Sequence, residues 1–157
     1  MTGQATLYII QGFLGAGKTT FSKRLALKTG AVHLNPDEVC VSLFRREEYE
    51  RNWDECFRKT LDLLWQKAEE HLKAGKDVIF DAGFWDRKSR DDAKSFARKC
   101  DCRCVHCYIC VPDEVAKERL SFRKGRIAEN NAANFENIKK SFVPPEPDEQ
   151  AVVIHNC

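Results

Sequence analysis

The sequence predicts an α/β fold: a three-layer α/β/α nucleotide-binding domain on a five-stranded parallel sheet, with a small helical lid. Two observations carry that prediction. Apolar runs of strand length alternate with stretches of helical period along the chain, as they do when parallel strands are buried on both faces. The first strand-to-helix junction, Gly12 to Thr19, reads GFLGAGKT and fits G-x-x-x-x-G-K-[ST] at every fixed position.

Taken in order, strand one spans about Thr6 to Gln11, and the helix behind the glycine-rich loop spans about Lys18 to Thr29, where Gly30 ends it. Ala31 to Asn35 is a short second strand closed by Pro36. A long helical stretch follows from about Glu38 to Lys73, with a break expected near Tyr49 to Trp53. Its Phe57, Leu61, Leu64 and Ala68 recur at helical spacing and read as a core-facing stripe. Gly75 stops that helix, and Asp77 to Asp81 is strand three. A helix from about Arg87 to Lys99 leads into a cysteine-rich strand four, VHCYICV. After Pro112 the stretch DEVAKERLSFRKGR is helical and runs into the polar IAENNAAN. FENIKKSF is a last helix, VPPEPDEQ a proline-rich loop, and Ala151 to Asn156 the fifth strand. With no repeat, linker or low-complexity stretch, residues 1–157 read as one domain, its lid at roughly 119–134.

Composition narrows the class. Hydrophobic residues at 43 % and charged residues at 32 % are ordinary for a globular domain, and a net charge of +2 is too small to argue for nucleic acid. No apolar run approaches the roughly 20 residues of a membrane span, and the N-terminus enters strand one directly. No targeting segment is expected, and the expected compartment is cytoplasmic. Five of the eight cysteines lie between Cys100 and Cys110. An extended strand sends alternate side chains to opposite faces, whereas zinc needs about four ligands converging on one point. The cysteines are therefore expected to be packing residues, without structural zinc; metal binding and redox sensing are the competing readings.

The loop specifies its own chemistry. Its glycines let backbone N–H groups turn inward around phosphates, and the following helix adds the positive end of its dipole. Gly12, Phe13, Leu14, Gly15, Ala16, Gly17, Lys18, Thr19 and Thr20 are the expected nucleotide-binding residues. Lys18 would reach the outer phosphates, and the Thr19 hydroxyl would ligate Mg²⁺ arriving with ATP. Asp37, directly after strand two, reaches the same carboxyl edge of the sheet. It reads either as the base that takes a proton from an attacking hydroxyl or as a helix N-cap, with Glu38 a weaker competitor for the base. Asp81, ending strand three, reads as the magnesium-side acid acting through water, or as a capping or turn residue. Phe84 and Trp85 beyond it either line a substrate pocket or pack under a loop. Arg119, Arg123, Lys124 and Arg126 form a basic cluster, in which Arg119 and Arg123 are four apart on one helix face. Beside a phosphate loop such a cluster reads as lid cations rather than a solvated surface.

The order GFLGAGKTT, HLNPDEV, VIFDAGFWDRKSR and VPDEVAKERLSFR resembles the small P-loop kinases related to polynucleotide 5′-hydroxyl kinase, built on an AAA-type ATP-binding domain. Zeta toxins and chloramphenicol phosphotransferase are more distant members of that group. The resemblance extends over nearly the whole chain, through FENIKKSFVPPEPDE. It implies that Asp37 is the general base, that Arg123 touches the transferring phosphate and that Arg119 occupies a second lid position. Arg90 matches an arginine that recurs after the third strand. One position departs: polynucleotide kinases carry an acceptor-holding arginine three residues after the base, where this chain has Cys40. Arg45 or Arg46 would have to compensate, so a small-molecule acceptor is favoured over nucleic acid. The expected function is transfer of the γ-phosphoryl group of Mg-ATP to an unidentified hydroxyl acceptor. Lys18, Asp37 and Arg123 would be catalytic, Arg119 and Arg126 would bind nucleotide, and Thr19 and Asp81 would serve the metal. A nucleotide hydrolase or switch acting with a partner protein, and a polynucleotide kinase, are the alternatives.

Overall fold

Thr6–Gln11 contains no charged residue, and its Leu7, Ile9 and Ile10 are wholly buried, as a strand at the centre of a parallel sheet requires. The computed structural model describes residues 3–123 and 131–156. This first strand, β1, pairs in parallel with β3 (Val78–Gly83) on one side and β4 (Arg103–Cys110) on the other. β2 (Val32–Leu34) and β5 (Val152–His155) complete the order β2-β3-β1-β4-β5. Helices α1 (Lys18–Thr29), α2 (Pro36–Leu43), α3 (Arg46–Arg51), α4 (Trp53–Lys73), α5 (Arg87–Lys99), α6 (Asp113–Ser121) and α7 (Phe135–Lys139) fill the connections.

The sheet has a core on each face. On one, Leu64, Ala68 and Leu72 of α4 and Ala93 and Ala97 of α5 cover Leu7, Ile9, Val78 and Phe80. On the other, Phe21 and Leu25 of α1 pack against Ile10, Ile79, Cys107 and Ile109. A third cluster joins Phe13 of the glycine-rich loop to Ala116, Leu120, Phe135 and Phe142. The three-layer α/β/α prediction therefore holds. None of the helices among the described residues is long and apolar enough to cross a membrane.

Two differences from the sequence reading have local causes. The long helix is three helices, because Phe44 and Arg45 are extended and Asn52 leaves helical geometry. Only the second of these breaks falls inside the expected interval. β3 continues two residues beyond Asp81, to Gly83, while Asp77 stays outside and accepts a hydrogen bond from the Thr6 N–H at 2.8 Å. Cys104 and Cys107 sit on opposite sheet faces, and burial pushes both thiols up to about 11, against thiolate formation at neutral pH. The expected lid falls partly on residues 124–130, including Lys124 and Arg126, which lie outside the described residues.

A buried polar chain crosses the sheet beside the core. His106 Nε2 lies 2.7 Å from Gln11 Oε1, and Gln11 Nε2 donates to the Val143 carbonyl at 3.0 Å. Burial, with Lys94 and Arg90 adding to it against Glu149, holds the His106 pKa down to about 4 from an ordinary 6.5. The unfolded chain therefore takes up this proton near pH 6.5, which the folded chain refuses until about pH 4. Stability should fall as pH drops through that window, by on the order of 3 kcal/mol from this group. Urea denaturation of wild type and His106→Gln at pH 7 and pH 5 checks it: the variant should lose less stability than wild type between the two.

Candidate functional site

The loop is built by close backbone approach. Gly15 has φ 76°, and a Cβ there would lie 2.6 Å from the Ala116 carbonyl oxygen, so only glycine lets α6 pack against the loop. Gly12 N–H donates to the Gly83 carbonyl at 3.1 Å, fastening the loop to the end of β3. Gly17, at φ 88°, precedes α1; no side chain caps that helix and its first turn carries no acid. Its first N–H groups and the positive end of its dipole are left for an anion. Lys18 Nζ donates to the Phe13 carbonyl at 3.2 Å and so lies folded along the loop.

The carboxyl edge of β2 and β3 supplies the acids. Asp81 is 3 % exposed and accepts from Asn35 Nδ2 at 3.4 Å and from His33 Nε2 at 3.1 Å. The same Asn35 Nδ2 lies 3.2 Å from the Thr19 hydroxyl oxygen, so one carboxamide ties the two expected metal-side groups together. Asn35 also caps α2: its Oδ1 accepts from the Glu38 N–H at 3.2 Å, and Pro36 takes the first helical position. Asp37 is therefore not the N-cap; it is a surface residue at the carboxyl edge, with protein packed around its carboxyl group. Surrounding protein pushes its pKa up, with Lys18 and Arg123 opposing and Asp81 and Glu38 reinforcing. Burial pushes Lys18 down, against the pull of Asp81 and Asp37, and Arg123 pushes it further down. Lys18, Asp37, Asp81 and Arg123 thus share one electrostatic neighbourhood. Glu38 instead lies 3.5 Å from Lys23 of α1, both exposed.

The two described arginines of the basic cluster have different surroundings. Arg123 is exposed just beyond α6. Arg119 is braced under the loop: Nη1 donates to the Gly15 and Ala16 carbonyls at 3.3 Å each, and Nη2 to the Asn156 carbonyl at 2.8 Å. Asn156 Nδ2 adds a bond to the Ala16 carbonyl at 2.8 Å. Among the expected acceptor residues, Cys40 is buried between α2 and α4, beside Thr60. Arg46 pairs with Glu50 at 2.7 Å on the surface. Phe84 is 6 % exposed, and Trp85 donates from Nε1 to the Gly12 carbonyl at 3.2 Å.

Four contributors were missing from the sequence reading: His33, Asn35, Asn156 and the partner of Arg90. Asn35 had a legible signal, since Asn before Pro-Asp-Glu is an N-cap followed by a proline at the first helical position. Arg90 has no exposure and forks onto Glu149, Nε to Oε1 at 2.6 Å and Nη2 to Oε2 at 3.1 Å. Its Nη1 also donates to the Phe84 and Val143 carbonyls at 3.0 and 3.1 Å. Nothing local in the sequence pairs residues 59 apart.

Solved structures share this fold along nearly the whole chain. A Chloroflexus aurantiacus protein assigned as a kinase superposes with TM-score 0.74 at 19 % identity, covering 99 % of this chain and 86 % of that one. A sugar kinase from a Janibacter species gives 0.68 at 22 %, over 98 % and 86 %. A gluconokinase from Sinorhizobium meliloti gives 0.67 at 15 %, over 98 % and 83 %. At such identities the likeness is one of fold. A comparison with curated proteins finds no match. A sequence-family model described as an AAA domain matches residues 7–145, from β1 through the loop, both acids and the Arg90 contact at Val143, and this chain belongs to that family.

Proposed function

We propose that this protein is a Mg-ATP-dependent kinase that phosphorylates a hydroxyl group on a small molecule, within the group of small kinases that its sequence blocks resemble. One observation carries the reading: Asn35 holds Thr19 and Asp81 together while Lys18, Asp37 and Arg123 converge electrostatically on the same edge. A hydroxyl and a carboxylate are hard oxygen donors that suit Mg²⁺, Thr19 directly and Asp81 through water. The metal would neutralise charge on the outer phosphates. Lys18 would hold those phosphates, and the open start of α1 would receive them. Asp37, with its pKa raised, takes the acceptor's proton as the acceptor oxygen bonds to the γ-phosphorus. The bond from that phosphorus to the β–γ bridging oxygen breaks, and ADP leaves. Arg119 positions the loop from behind and Arg123 faces the transferring charge. The kinase neighbours named above favour a small-molecule acceptor.

Arg123→Ala should lower the transfer rate far more than it weakens ATP binding, by roughly 10²-fold or more, since its contact strengthens as charge spreads in the transition state. Comparing kcat with the ATP dissociation constant checks this; full activity in the variant contradicts it. The reading as a whole is tested by ³¹P NMR of Mg-ATP incubated with the protein and a panel of neutral alcohols. A kinase gives ADP and a phosphomonoester. ADP and inorganic phosphate alone, whatever alcohol is added, would mean a hydrolase.

A further inference from the structure

A cleft of about 490 Å³ opens between α4 and α5, on the sheet face opposite α1. Phe57, Leu61 and Trp65 project into it one turn apart along α4, and Phe96 faces them from α5. Its floor is β3, where Phe80 stacks flat on Trp65 with ring centroids 4.0 Å apart. The stripe on α4 is therefore divided in use. Leu64 and Ala68 are buried in the core, while Phe57 and Leu61 stay half-buried as a wall.

The cleft is joined to the phosphate loop through single residues. Asp81 lies on β3 between two residues of the cleft floor, Phe80 and Ala82, with its side chain on the α1 side of the sheet, so the cleft and the acids meet at the end of β3. Gly83 and Phe84 then take φ values of 83° and 47°, and this left-handed pair precedes Trp85. Side chains rarely adopt this left-handed conformation, and the Arg90 bond to the Phe84 carbonyl holds Phe84 in it. Trp85 lines the cleft while its Nε1 bonds to the first residue of the phosphate loop.

Its charge is equally specific. Among the described residues no lysine or arginine lines the cleft. Among the described residues, its charged lining residues are Asp86 and Asp92, at the rim. Asp86 accepts the Ser89 N–H at 2.6 Å, and Asp92 is paired with Lys88 at 2.7 Å. An entering carboxylate or phosphate would give up water, meet no cation and pass two acids, whereas an apolar ring gains stacking surface. The volume falls in the roughly 300–1,000 Å³ range of small-ligand sites.

We infer that this cleft receives the body of the phosphoryl acceptor, and that the acceptor is an uncharged hydroxyl compound with a flat, ring-bearing apolar body. This rests on the kinase reading above and gives its acceptor a chemical class. The test is calorimetric titration of the protein, saturated with a nonhydrolysable ATP analogue and magnesium, with 2-naphthalenemethanol and with 2-naphthoate. The two probes share a ring system and differ in charge. The alcohol should bind at least about tenfold more tightly than the acid. Leu61→Trp, which fills the cleft from α4, should lose alcohol binding by a similar factor and keep its affinity for the nucleotide analogue. Naphthoate binding as tightly as the alcohol, or alcohol binding untouched by the filled cleft, overturns the inference and leaves the kinase reading standing. If the alcohol binds in the cleft but ³¹P NMR with ATP yields only inorganic phosphate from every alcohol, the kinase reading fails, and the acceptor assignment fails with it.

Discussion

Asp37→Asn is expected to bind Mg-ATP like the wild type and to lose phosphoryl transfer by about 10²- to 10⁴-fold. Asparagine is nearly isosteric with aspartate but takes no proton. The helix that follows should be indifferent to the change, because Asn35 supplies its cap and Asp37 does not. That division makes the experiment clean: a fall in kcat with unchanged thermal stability belongs to chemistry. The pKa of Asp37 is raised above the ordinary carboxylate value, chiefly by burial among its neighbours. The acid limb of the wild-type rate profile should therefore lie above that ordinary value, because protonating the base abolishes its function. Asp37→Asn should flatten that limb. Equal turnover by the two proteins would remove Asp37 from the mechanism.

Arg90→Ala should destabilise the fold by about 3–5 kcal/mol, a large share of the roughly 5–15 kcal/mol typical of a domain. The guanidinium is wholly buried, and truncating it strands Glu149, whose side chain has no exposure either. Burial alone would push the Glu149 carboxyl up. The hydrogen bonds from Arg90 and the Glu146 N–H, with the charges of Arg90 and Lys94, outweigh burial and hold it at about 2. Its stabilisation is thus full above the ordinary value of 4.5 and is lost as pH falls towards 2, a window below that of His106. Arg90 also closes the chain around the site, since its bonds to Phe84 and Val143 join the end of β3 to the segment before β5. Urea titration gives the measurement. The double variant Arg90→Met, Glu149→Leu should recover much of the loss, because a buried pair replaced by apolar groups leaves no stranded charge. A loss below about 1 kcal/mol in Arg90→Ala would mean that this pair does not hold the fold.

Much of this architecture is written locally. Thr6–Gln11 and Lys18–Thr29 fall where apolar runs, Gly17 and Gly30 put them, because strand burial and left-handed glycines act over a few residues. The break at Phe44 and Arg45 was illegible, since neither glycine nor proline marks it. The site divides in the same way. The phosphate loop is contiguous and its pattern is nearly sufficient to locate it. Asp37 was found by its position after β2, but its separation from capping needed Asn35 to be seen bonding to Glu38. The brace of Arg119 on Gly15, Ala16 and Asn156, and the fork of Arg90 on Glu149, join residues that only the fold makes neighbours. The cleft was half visible: Phe84, Trp85 and the α4 stripe were singled out, but the wall from α5 required the packing of two helices on β3.

The claim on which the rest depends is that the 12–19 loop holds Mg-ATP in a geometry for transfer. Titration calorimetry of Mg-ATP into wild type and Lys18→Ala, with turnover measured on the same samples, tests it most directly. The wild type should bind one ATP per chain, and the variant should bind at least about tenfold more weakly and show no turnover. Unchanged ATP affinity together with undiminished turnover in Lys18→Ala would contradict it.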